Sequence, residues 1–552
     1  MPAETTWQSA AAQERARLAS KIEASGLGGA AAAVEVAGEV LNVAQVPLEG
    51  VLSSAELEVT GSSVESLLAR LRSGEWGAEE VTRAFCRRAV VAHELTNCLT
   101  QVFFDRAIER AKWLDAEFAR AGPTGPLHGL PISLKNQIDV EGEQMDLCYV
   151  GWVGRVAKKN AVVVDCLVKQ GAVLYCHTNM PQALGSGETV CNLHGRTLNP
   201  HNRALSSGGS SGGEGALIAL HGSPLGVGTD LGGSARVPAS FCGIYGLRPS
   251  YNRIPFCGTS NAMQGFEGIQ SVLGPLSVSV DGLKTFFKAI LDVEPWNLDP
   301  VALRMPWNES AYRLSEHDGG KSLCFGFNRN NGVVKPDPPY LRALDMLEKA
   351  LVAQGHKVVD YSPPDAAAGE AILSAFFSAA GDEEVKRECA LSGEPPIFAA
   401  PLASAPAPQL SAHDYWQLCL KRRHWVKAQL DDWEATKSRT GTGRPVDAII
   451  SPTAPYPSFR HNDALENLYT AVCNLCDFPS ASFPVTTVDP TLDLKAAPHA
   501  FASPFDKLNY ERYDAEAYRD TPIGLQVYAR KGEDEATIRF AEICAAALEA
   551  SR

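Results

Sequence analysis

Residues 208 to 239 read GGSSGGEGALIALHGSPLGVGTDLGGSARVPA, and no other stretch limits the fold as much. Two small-residue loops, GGSSGGE and GTDLGGS, bracket an apolar turn-and-strand segment. Each loop carries a serine that its glycine neighbours leave uncovered. Glycine permits φ > 0 and lets a second group approach the backbone closely. Successive N–H groups in such a loop form a concave anion site. A serine beside that site is what acyl transfer requires: a nucleophile next to a place for an oxyanion.

Upstream, GPLHGLPISLKNQIDV sets Lys135 at the end of an apolar, strand-like run. A free lysine is almost wholly charged at neutral pH, but burial disfavours the charged form and yields an amine able to take a proton. Ser210 follows within the first glycine loop and Ser234 ends the second. A hydroxyl between a lysine and a nucleophile is donor and acceptor at once, so it passes a proton either way. GGSSG also satisfies G-x-S-x-G, the nucleophile elbow of another hydrolase fold. That scheme has no place for the second Gly-Gly-Ser or for a lysine at a strand end.

The order lysine, serine, serine within this long glycine/serine signature resembles the amidase signature family, the Ser–Ser–Lys hydrolases. The fungal acetamidase and fatty acid amide hydrolase branch is the most similar in appearance. The likeness runs from about residue 58 to the C-terminus and is densest between 125 and 250. It implies an α/β fold: a single large domain whose large central mixed β-sheet is flanked by helices on both faces. It also implies Lys135 as base, Ser210 as relay after a cis Gly209–Ser210 bond, and Ser234 as the acyl-enzyme nucleophile. The backbone N–H groups of Leu231, Gly232, Gly233 and Ser234 would hold the oxyanion. Ser211, Thr229, Asp230 and Arg236 would support the loops. Neither metal nor organic cofactor enters this scheme, and Ser–Lys chemistry needs no histidine. The substrate would be a small-molecule amide.

The net charge of −14 and a pI near 5.4 argue against nucleic acid as a partner. The N-terminal residues have no apolar core of signal-peptide type, and no run reaches the roughly 18 apolar residues of a membrane span. A cytoplasmic protein without a transmembrane anchor is expected. The fourteen cysteines sit largely in apolar segments, the usage of small buried hydrophobes. Cys473 and Cys476 form one CxxC without a second pair or spaced histidines, which argues against zinc there.

No linker, repeat or low-complexity tract divides the chain, so one large unit is expected, a catalytic domain at 58–552 preceded by an N-terminal helical extension at 1–57. Residues 7–25 read as an amphipathic helix that packs on the body or, in a homodimer, on a partner subunit. A loose Ala/Val-rich segment runs to about 57. Ser62-x-x-Glu65 has the form of a capping box, with Val64, Leu67, Leu68 and Leu71 at helical spacing behind it. Helices are expected at 78–92 and 103–119. From 129, strands and helices alternate, which argues for an α/β sheet with helices on both faces. Residues 395–408 read as a Pro/Ala-rich surface loop.

The sequence departs from its relatives at two places. Asn136 stands where many have an acid. In EGEQMDLCYVGW, Met145, Asp146 and Cys148 replace a small Ser/Thr pair and a glycine. Met145 and Asp146, with Met180 and Leu184, are candidate substrate-binding residues, and Asp146 would turn specificity toward polar or cationic amides. Three functions compete: a free-standing amidase, with esterase or aryl acylamidase specialisations of the same site; the glutaminase-type subunit of a tRNA-dependent amidotransferase; and a non-catalytic docking protein. The stretch ALIALHGSPLGVGTDLGGSARVPASFCGIYGLRPS favours the first, and the presence of all three triad positions, Lys135, Ser210 and Ser234, disfavours the last.

Overall fold

The computed structural model describes residues 6–27, 38–397, 409–464 and 468–552. Its centre is an eleven-stranded sheet. In chain order the strands are β1 (Leu99–Val102), β2 (Pro131–Lys135), β3 (Val173–Thr178), β4 (Leu225–Asp230), β5 (Tyr245–Arg248) and β6 (Val272–Ser277). They continue as β7 (Cys324–Phe327), β8 (Lys357–Asp360), β9 (Ala448–Pro452), β10 (Ser480–Thr487) and β11 (Pro522–Tyr528). Their spatial order is β1-β3-β2-β4-β6-β5-β10-β11-β9-β7-β8. The sheet is mixed. β2 runs parallel to β3 and β4, and β7 parallel to β8 and β9, while β4–β6 and β10–β11 are antiparallel.

β2, β3, β4, β6 and β11 are buried at every position. A strand buried on both sides needs a covering layer on both faces, which is why these segments read as apolar runs rather than alternating ones. The helices supply those layers. Phe104–Ala121 turns Phe104, Ile108, Ala111 and Leu114 inward, with Phe118 half-buried. Asp534–Ala550 packs on β10 and Arg236–Cys242 on β11. In Ala412–Ala435 the inward face carries Leu418, Trp425, Gln429 and Trp433, so Trp416 and Leu420 fall on the exposed side.

Two local expectations are corrected. The helix Val64–Ser73 is capped by Ser63, whose Oγ accepts from Ser66 N, and not by Ser62. The Glu65 N–H goes instead to Asp281 Oδ2. A true capping box forms at Ser53 and Glu56, opening a helix at Ser54–Thr60 that begins within the segment read as loose. Most of the Pro/Ala-rich run, 398–408, lies outside the described residues, as do 28–37.

The helix Trp7–Ala24 buries Ala11, Glu14, Leu18 and Ile22 on one face. Leu18 and Ile22 join the main core, and Glu14 Oε1 accepts from Gln101 Nε2 and Gln144 Nε2, both at 2.9 Å. The helix is thereby fastened to β1 and to the loop after β2. No described helix is long and apolar enough to cross a membrane.

Candidate active site

β2 lies between β3 and β4, so its last residue, Lys135, ends up beneath the glycine loops. The side chain is fully buried. Its Nζ donates to Ser210 Oγ at 2.7 Å and to Thr229 Oγ1 at 2.8 Å. Thr229, near the end of β4, passes its own hydroxyl proton to Gln137 Oε1 at 2.7 Å. Burial pulls the lysine down to about 7, against the opposing pull of Asp230, Cys148 and Glu214. Near neutrality a large share of the amine is therefore uncharged. In that form the contact reverses, and Nζ can take the Ser210 proton.

Ser210 follows a cis peptide from Gly209 and is itself buried. Next to it, Ser211 N donates to the carbonyl of Ser234 at 3.1 Å, which docks the first loop on the second. The Ser211 hydroxyl also exchanges long hydrogen bonds of 3.4 Å with the backbone of Thr229. Ser234, in contrast to Lys135 and Ser210, is half-exposed. Buried Lys135 and Ser210 thus lie behind a loop whose Ser234 is half-exposed.

The Ser234 loop is held by a buried ion pair. Arg236 Nε and Nη2 bind the two Asp230 oxygens at 2.9 and 3.0 Å, and the guanidinium also reaches Asn474 Oδ1, Gln526 Oε1 and the carbonyl of Thr470. Burial pushes the Asp230 carboxyl up, but Arg236, with Arg248 and Asn474, outweighs it and holds the group below the usual carboxylate range. Gly233 is required by position: its φ is +131°, and a Cβ there would meet Thr470 Oγ1 at 2.3 Å.

Of the four backbone N–H groups expected to face an oxyanion, one is already taken. Gly233 N is bound to Asp230 Oδ1 at 2.9 Å, so that N–H is already engaged. The N–H groups of Leu231, Gly232 and Ser234 have no acceptor among the described residues. The carboxylate that shapes the loop therefore takes one donor and leaves three turned elsewhere.

Residues 80–538 match the Amidase family. The chain belongs to the amidase family. This amidase, an amide hydrolase, is 38% identical to an acetamidase of Emericella nidulans over 543 residues, 97% of each chain. It is 37% identical to an acetamidase of Aspergillus oryzae over 540 residues, covering 97% of this chain and 98% of the other. Its fold matches a fatty acid amide hydrolase with a TM-score of 0.85 at 29% identity, over 94% of this chain and 90% of that one.

The four residues read as substrate contacts sit differently in the amidase. Met145, Met180 and Leu184 pack in an apolar cluster with Leu147, Tyr149 and Trp152, and Met180 is fully buried. Asp146 is fully buried as well. Its Oδ2 meets His194 Nε2 and Gln144 Nε2, both at 3.1 Å, and its Oδ1 accepts Cys148 N at 2.9 Å. The carboxylate is spent on its neighbours, so it offers no counter-charge to a cationic substrate. Asn136 fixes this loop: its Oδ1 accepts from Asp146 N and Leu147 N.

Two residues absent from the sequence reading belong near the site. Gln137 receives Thr229, as above. Glu214, on the helix Gly212–Ala219, accepts Ser133 Oγ at 2.6 Å and Thr178 Oγ1 at 2.8 Å. Burial pushes its carboxyl up to about 7. A Cβ on Gly226 would meet Glu214 Oε2 at 1.8 Å, so the glycine of β4 makes room for the acid. The one available signal was period: Ser133 and Lys135 share a strand face, and a serine there needs a partner.

Proposed function

We propose that this amidase cleaves the C–N bond of a carboxylic acid amide through an acyl-enzyme on Ser234, with Lys135 as base and Ser210 as relay. The observation that carries the reading is the 2.7 Å contact between the buried Lys135 Nζ and Ser210 Oγ, with Ser211 holding the loop of Ser234 alongside. Neutral Lys135 takes the Ser210 proton, Ser210 takes that of Ser234, and Ser234 Oγ attacks the amide carbonyl. The oxyanion lies against the N–H groups of Leu231, Gly232 and Ser234. Ser210 then hands its proton to the leaving amine, and Lys135 restores it. Water enters by the same relay and frees the acid. Each oxyanion donor contributes about a hundred- to a thousand-fold in rate.

Depressed basicity at Lys135 supports this division of labour, since a base is most effective when its pKa lies near the working pH. Asp230 and Arg236 shape the loop without touching the reacting atoms. The fungal acetamidases it resembles, and the fatty acid amide hydrolase whose fold it shares, support simple aliphatic amides as the substrate class. The test is hydrolysis by the purified chain alone. Ammonia release from acetamide and from longer primary amides is expected without any partner, and it should disappear in Ser234→Ala. Turnover only when a second subunit is added would overturn the free-standing reading.

A further inference from the structure

Behind the Ser210 loop lies a second group of chemically reactive side chains. Asp146 and Cys148 stand on the loop after β2 as D-x-C. Cys191 and His194 stand on a small ribbon, Val190–Cys191 paired with Gly195–Arg196, as C-x-x-H. All four are buried. One donor atom each from Asp146, Cys148 and His194 lies within 4.8 Å of the others. The two thiols converge, with Cys148 Sγ at 3.5 Å and Cys191 Sγ at 3.7 Å from the same oxygen, Asn179 Oδ1. His194 N donates to Cys191 Sγ at 3.2 Å.

From this geometry we propose that Asp146, Cys148, Cys191 and His194 form a structural site for one zinc-class divalent cation. Carboxylate, thiolate and imidazole are the donor types that suit zinc, which prefers four ligands in a closed tetrahedron. Around such an ion the donor atoms stand about 3.3–3.8 Å apart, given metal–ligand bonds of about 2.0–2.3 Å. For Asp146, Cys148 and His194 a contraction of about an ångström from the present spacing suffices, and Cys191 Sγ, which converges with Cys148 on Asn179 Oδ1, would swing in as the fourth ligand. The loop is already braced for it, since Gln144 Nε2 and Cys148 N orient the Asp146 carboxylate from outside.

His194 Nε2 already meets Asp146 Oδ2 at 3.1 Å, so these two donor groups face one another across the site. Binding would release the two thiol protons, leaving thiolates on the metal.

The site would brace catalysis indirectly. Asn179 O accepts Gly213 N at 3.0 Å, at the start of the helix that follows Ser210 and Ser211. A Cβ on Gly213 would meet Asn179 backbone atoms at 2.4 Å, so the two segments are in direct contact. These four residues therefore act as positioning residues.

The test loads the metal during synthesis, because the site is closed. Full-length protein is produced in zinc-supplemented medium, purified without chelator, and assayed for metal by plasma mass spectrometry. A second batch is made with cobalt, and its thiolate-to-cobalt charge-transfer absorption is recorded. The expected result is one zinc per chain and a thiolate band. Both should vanish in Cys148→Ala and in His194→Ala, and both should persist in Cys257→Ala, whose thiol is exposed elsewhere. Folded wild-type protein with neither metal nor thiolate band overturns the proposal, as does a band that survives Cys148→Ala, and neither result depends on the variants folding well.

Discussion

Two buried polar clusters meet at Asn179 and Gly213, and they are built to opposite ends. Around Lys135 the hydrogen bonds run outward, from Nζ to Ser210 and Thr229, and the chain ends beside a half-exposed serine with three unengaged N–H groups. Around Asp146 they close inward, on His194, Gln144 and Cys148, with nothing left facing solvent. Both contain residues that textually look reactive. An open chain of donors supports turnover, whereas a closed one supports architecture.

Substitutions should separate the two clusters. The largest effect is expected at Ser234→Ala, which should cut kcat by about 10⁴- to 10⁶-fold while leaving thermal stability near that of the wild type. Kinetics and a melting curve on the same sample check it. Next comes Arg236→Ala. It leaves Asp230 buried and unpaired, so unfolding free energy should fall by about 3–5 kcal/mol in denaturant titration. Gly233→Ala forces a side chain onto Thr470 and displaces the loop, and a loss of about 10²–10³ in kcat is expected.

Smaller shifts sharpen the contrast. With Lys135 as the proposed base, only its neutral form is active, so kcat/KM should rise with pH through about 7 and be lost on the acid side. A pH–rate profile on a neutral amide reports this directly. Glu214 carries the opposite sign for stability. Its folded pKa is raised from 4.5 to about 7, so the proton it retains favours the folded state at low pH, and that contribution is lost as pH climbs between those values. Glu214→Gln should flatten that decline. Asp146→Asn should lower the melting temperature and leave the preference order among amides unchanged. A reordered preference would return Asp146 to the substrate pocket.

Much of the first cluster was legible because its parts lie in dense, low-entropy signatures. PISLK reads as a strand, and the paired glycines just before Ser210 and just before Ser234 mark the two loops. The engagement of Gly233 N–H by Asp230 was not legible, since it depends on how a carboxylate three residues earlier folds back. Met145, Asp146, Met180 and Leu184 were placed by analogy in position, but burial sent the acid to His194, a partner 48 residues away. Glu214 sits in GGEGAL with nothing local to mark its descent beneath β2. The sheet order was equally hidden, because neighbours such as β5 and β10 are set by long-range pairing.

The most direct measurement is covalent labelling. Purified protein is incubated with a fluorophosphonate, and intact and peptide masses are taken beside Ser234→Ala and Lys135→Ala. A single adduct on Ser234, absent in the serine variant and slowed in the lysine variant, is predicted. An adduct on Ser210 instead, or no adduct on folded wild-type protein, would contradict the assignment of Ser234 as the nucleophile fed by Lys135.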